Sequence, residues 1–167
     1  MKSTGKHTLV LGLGNDLLGD DAVGIHAARA LRVDYGEAVE IHEAAVGGYA
    51  LLDLLEGYER VLLLDAVSTG RVKPGIVIEL SREDFGAADD TSPHHVGLPE
   101  VFALADRLDI SLPRVLRIVA MEILPPQELS TSLTHEIEKA LPAFVEHAVA
   151  VLNEWEISPA IHHISDL

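Results

Sequence analysis

An α/β fold, a sheet covered by helices on both faces, is what this sequence predicts, and three observations carry the prediction. Two short continuous apolar runs, Thr8-Leu9-Val10-Leu11 and Val61-Leu62-Leu63-Leu64, have the length and character of strands buried on both sides. After the first of them Val23, Ala27 and Leu31 recur every four residues, the spacing of one helix face. Strand-like and helix-like segments then alternate to the end of the chain, the pattern of a sheet layered between helices.

In order, residues 8–14 read as a buried strand and 20–35 as a helix, with Asp20 placed to cap it and Asp21 in a first turn where a carboxylate favours the helix dipole. Residues 38–44 alternate, Val39 and Ile41 inward against Glu40 and His42 outward, and read as a half-exposed strand. Gly47-Gly48 breaks the chain before a short helix at 49–55. The run at 61–67 reads as a central strand, and 68–75 as a loop with Gly70 and Pro74. Residues 75–80 read as a strand and 82–93 as a polar excursion. Residues 97–109 form a helix through Val101, Ala105 and Leu108, and 114–121 a strand ended by Pro125-Pro126. Residues 130–154 form a long amphipathic helix striped by Leu133, Ile137, Leu141, Phe144, Ala148 and Leu152. No repeat or linker divides the chain, so one domain is expected over 1–157, followed by a flexible tail at 158–167.

Composition narrows the function classes. Hydrophobic residues make up 48% of 167, enough for a core. There is no cysteine, which excludes disulfides, thiolate metal sites and thiol nucleophiles. Twelve Lys and Arg against 27 Asp and Glu leave a net charge of −15. Such a chain is a poor partner for nucleic acid, whose affinity comes from neutralised phosphates. A cation or a basic protein partner suits it, and solubility alone would also account for the charge. No apolar run is long enough to span a membrane, and the opening residues lack a secretory pattern, so a cytoplasmic protein without membrane insertion is expected.

The most informative stretch is Gly12-Leu13-Gly14-Asn15-Asp16-Leu17-Leu18-Gly19-Asp20-Asp21-Ala22-Val23-Gly24. It is a strand, a glycine turn and a helix start, the place where ligands meet the carboxyl edge of a sheet. A phosphate cradle fits poorly: the glycine spacing is wrong for GxGxxG, no lysine follows as in a P-loop, and two aspartates would repel a phosphate. Asp65 follows four apolar residues, where a carboxylate is costly unless paired or bound to a cation. His94, in Ser92-Pro93-His94-His95, precedes a helix. Asp21, Asp65 and His94 together offer oxygen and nitrogen donors suited to a divalent transition metal. Each also has a plainer use: Asp21 toward a helix dipole, Asp65 as a loop cap, either histidine as a helix cap or a solvated side chain. Neither GxSxG nor HExxH occurs.

The three motifs in this order, Gly14-Asn15 through Asp21 to Gly24, Leu64-Asp65-Ala66, and Ser92-Pro93-His94-His95-Val96-Gly97-Leu98, resemble the [NiFe]-hydrogenase maturation endopeptidases. The resemblance covers about residues 8–155. It implies a single three-layer α/β/α domain around a twisted, mostly parallel sheet. It implies an aspartic or metal-dependent peptidase that removes a C-terminal peptide from the precursor of the hydrogenase large subunit. Carried over by position, Asp21, Asp65 and His94 become the metal-binding and catalytic cluster. The metal is nickel supplied by the substrate, and other divalent cations can occupy the site. His95 offers a second imidazole beside His94. Asn15, Gly47 and Gly48 fall where the family meets its substrate. Two other readings stay open: a nucleotide- or small-molecule-binding module in which Glu43 meets a ribose, and a metallochaperone that keeps the cluster without hydrolysis. The sequence does not choose between metal and carboxylate as the hydrolytic group, nor does it name the hydrogenase or the oligomeric state.

Overall fold

The computed structural model describes residues 7–81 and 98–160; of residues 81 and 98–100 only the backbone is described. His94 and His95 lie outside the described residues, as does the whole of the excursion at 82–93. Five strands form one sheet: β1 (Thr8–Leu13), β2 (Glu40–Ala44), β3 (Arg60–Val67), β4 (Val77–Ser81) and β5 (Val115–Glu122). Their order is β2-β1-β3-β5-β4. β1 runs parallel to β2 and β3, β3 runs parallel to β5, and only β4 is antiparallel, on β5. This is the mostly parallel sheet expected.

The helices are α1 (Val23–Tyr35), α2 (Ala50–Leu55), α3 (Leu98–Leu108) and α4 (His135–Glu154). Alternation along the strands sorts them into two layers. Val10, Leu62, Leu64, Val119 and Met121 pack with Val23, Ala27 and Leu31 of α1 and Ile137, Phe144 and Ala148 of α4. Leu9, Leu11, Leu63, Val67 and Ile118 pack with Leu51 and Leu55 of α2 and Phe102 of α3. β1 and the 61–67 part of β3 are buried throughout, which is why they lack the alternation seen in β2.

Two helix starts differ from the sequence reading. The first helix does not start at Asp20: Gly19–Ala22 forms one 3-10 turn, and α1 follows it. Asp20 caps neither. Its carboxylate accepts the N–H of Thr134 (2.7 Å) and its hydroxyl (2.9 Å), just before α4. The long helix begins at His135 rather than 130, because the preceding residues pair with the glycine turn: Gly19 N–H donates to Ser130 O (2.8 Å) and Ser130 N–H to Leu17 O (3.0 Å). Toward the end of the chain Ile157 is buried in the α1–α4 layer and Ala160 N–H donates to Asp34 O (2.7 Å); residues 161–167 lie outside the described residues.

Candidate active site at the carboxyl edge of the sheet

Three glycines of the first motif, Gly12, Gly14 and Gly24, lie tight against the protein's own backbone. A Cβ on Gly12 would lie 2.6 Å from Gly24 O, and one on Gly24 would lie 2.2 Å from Leu64 O and 2.5 Å from Leu13 O. The start of α1 therefore rests directly on β1 and β3, at a distance only glycine permits. Gly14, with φ at +151°, leaves room for the carbonyl of Asp21, which a Cβ there would meet at 2.3 Å. The 3-10 turn thus folds back over the end of β1 and packs against β3.

That packing buries Asp21 to 6% exposure. Asp65 is fully buried, two residues before the last residue of β3, Val67, and in register with Ala120 of β5. Its Oδ1 accepts the N–H of Ala66 at 2.8 Å, which fixes the carboxyl group. A cleft of about 410 Å³ opens here, lined by Asp21, by the three residues after Asp65 (Ala66, Val67 and Ser68), and by Leu18, Ile123, Pro125 and Pro126. By alternation Val67 shares Asp65's face of the sheet and Ala66 takes the other, so the cleft opens over the end of the strand.

Carboxyl groups buried at a sheet edge are of the donor type a divalent cation takes. Among the described residues no group of three or more His, Asp or Glu is placed to hold a metal ion, and the expected nitrogen donor, His94, lies outside those residues. The expected substrate contacts are spread along the same edge. Asn15 closes the turn locally, its Oδ1 accepting Leu17 N–H at 2.9 Å. Gly47 and Gly48 lie in the loop after β2, the strand flanking β1, and Gly48 adopts φ +57°.

Charged side chains brace the loop. Arg29 of α1 binds Asp16 (2.7 Å) and Glu43 (2.9 Å), and Arg32 binds Glu43 (2.7 Å). The bond from Arg29 holds the Asp16 carboxyl below the usual carboxylate range. Burial pushes Glu43 up, but the bonds from Arg32 and Arg29 outweigh it and keep that carboxyl low. With Glu43 committed to two arginines and the glycines packed against backbone, the nucleotide-binding reading loses both its ribose partner and its cradle.

Glu122 was not singled out in the sequence, where it follows an apolar strand as an ordinary polar end. It is 2% exposed and accepts Thr69 Oγ1–H and Gly70 N–H, both at 2.7 Å. It therefore holds the loop that begins at Ser68 of the cleft. Glu122→Ala removes the acceptor of two part-buried bonds, and is expected to lower stability by about 1–2 kcal/mol in urea unfolding. Glu122→Gln keeps one acceptor and should lose less; a Gln variant as stable as the wild type would show that the side chain mainly fills space.

Comparison with known proteins gives the site its context. The family model described as hydrogenase maturation protease HycI matches residues 25–151, a stretch that includes Asp65 and His94 and begins just after Asp21. The chain belongs to the hydrogenase maturation protease family. It is 32% identical over 152 residues to the hydrogenase 2 maturation protease of Escherichia coli, covering 87% of this chain and 90% of that one. It is 28% identical over 155 residues to the hydrogenase expression/formation protein HupD of Rhizobium leguminosarum, covering 90% and 76%. Among solved structures it resembles the hydrogenase maturating endopeptidase HybD from E. coli, with a TM-score of 0.77 at 28% identity over 95% of this chain and 99% of that one. The [NiFe] hydrogenase maturation protease HybD from Thermococcus kodakarensis matches with a TM-score of 0.67 at 26% identity, over 87% and 98%. The protein is thus a peptidase of hydrogenase maturation, with the α/β fold of that family. Among the described residues no helix is long and apolar enough to cross a membrane.

Proposed function

We propose that this maturation protease removes the C-terminal peptide from the nickel-loaded precursor of a [NiFe]-hydrogenase large subunit, and that Asp21, Asp65 and His94 read the nickel. The supporting observation is two buried carboxyl groups, Asp21 in the turn that folds over the end of β1 and lines an open cleft, and Asp65 near the carboxyl end of the neighbouring parallel strand β3. Nickel arrives as part of the substrate, held by the precursor's own thiolates, and the three side chains add donors to it. Asp65 is held in one orientation by Ala66 N–H, and Asp21 is carried by the turn that Gly14 admits. Hydrolysis then uses either the metal to polarise the scissile carbonyl or one carboxylate as general base. We place the reaction in the cytoplasm, in keeping with a chain that has no cysteine.

Incubation with nickel-loaded and nickel-free precursor, followed by mass measurement, tests this. Only the loaded precursor should lose its C-terminal peptide; equal cleavage of both would remove nickel from the recognition. The net charge of −15 gives a second expectation. If the precursor presents basic residues near the cleaved bond, its association rate should fall on the order of tenfold between low and high salt. A rate that ignores salt would leave the charge to solubility alone.

A further inference from the structure

Beside the Asp21 cleft lies a second one of about 340 Å³, which shares Leu18, Pro125 and Pro126 with it. We propose that this groove, between the glycine turn and the loop joining β5 to α4, docks an extended segment of the protein substrate that carries apolar and basic side chains. The proposal rests on the protease reading above.

Three observations support it. First, the groove is apolar where a folded surface usually is not. Leu124, Pro125 and Pro126 line it and are all exposed, Leu124 by 67%. Leu18 lines the facing wall, where it forms a parallel bridge with Ser130. Apolar side chains grouped in this way mark a contact surface.

Second, the groove is preformed. Pro125 and Pro126 restrict one wall, and the bonds between Ser130 and both Leu17 and Gly19, with Thr134 on Asp20, fix the other wall to it. A partner docking here orders little of the protein, which lowers the cost of binding.

Third, the charge has one sign. Asp20, Glu128 and Glu136 line the groove, and among the described residues no Lys or Arg lines it. An apolar floor with acidic edges suits leucine-like and Lys or Arg side chains on one strand. The continuity with the Asp21 cleft makes that strand the part of the substrate flanking the cleaved bond.

The test uses purified nickel-loaded large-subunit precursor as the probe, with Leu124→Ser and Glu128→Lys/Glu136→Lys as variants. All three positions are exposed, so melting temperatures should stay at the wild-type value. The serine variant is expected to bind the precursor about tenfold more weakly and to raise KM in step, with a far smaller change in kcat. The lysine variant should associate more slowly at low salt. Wild-type affinity in both variants would overturn the proposal. A wild-type dimer that the serine variant dissociates, with precursor affinity unchanged, would assign the groove to a second copy of the chain and also overturn it. Wild-type protein that binds but never cuts, with binding lost in the serine variant, would sink the protease reading and keep the groove. If the wild type neither binds nor cuts, both fall.

Discussion

Asp65→Asn is expected to lower precursor cleavage by about 10²-fold or more, the scale of losing a positioned acid–base group or a charged metal donor. The substitution is conservative in shape. Asn keeps an oxygen for Ala66 N–H, which Asp65 Oδ1 now accepts at 2.8 Å, so β3 should not rearrange. Stability should hold or rise, because a fully buried carboxylate is costly to desolvate and an amide less so. The variant also separates the two roles open to Asp65. As a general base, its loss stops cleavage while binding of the nickel-loaded precursor stays near wild type. As a reader of nickel, its loss weakens binding and cleavage together. Pull-down affinity and product mass on the same preparation distinguish the two. An Asn variant that binds and cuts normally would remove Asp65 from the site.

Gly24→Ala should have the largest effect on the fold. The added Cβ would stand 2.2 Å from Leu64 O and 2.5 Å from Leu13 O. Both atoms belong to the backbone of buried central strands, which cannot yield as a side chain can. We expect a loss of about 3 kcal/mol or more, a large part of the roughly 5–15 kcal/mol that holds a domain together. The start of α1 would be pushed off the sheet, and the turn carrying Asp21 would move with it. Gly57→Ala is the control. Gly57 has φ +84° but nothing within 4 Å of its would-be Cβ, so it should cost only about 1 kcal/mol of backbone strain. Urea midpoints measure both; a Gly24→Ala protein as stable as the control would mean that α1 has freedom to retreat.

The order of elements was legible in the sequence because it is written locally. Leu9-Val10-Leu11 and Val61 through Leu64 are continuous because both their faces are covered, and the spacing of Val23, Ala27 and Leu31 marks the face α1 turns to the sheet. Asp65 stood out for the same reason, a lone carboxyl group in an apolar run. The contacts that shape the site were not legible. Asp20 looked like the cap of its own helix, yet its partner is Thr134, 114 residues away. Glu122 looked like a polar strand end, yet it anchors Thr69 and Gly70 across more than fifty residues. By itself the sequence determined the fold class and the buried carboxyl of Asp65. Only the tertiary structure decided what the glycines of the first motif touch, which loop pins the turn, and that the leucines at 17, 124 and 129 stay exposed. The physical reason is range. Periodicity and turn chemistry act between near neighbours, while capping, burial and close approach depend on which strands lie side by side, and the order β2-β1-β3-β5-β4 is set by the packing of the whole chain.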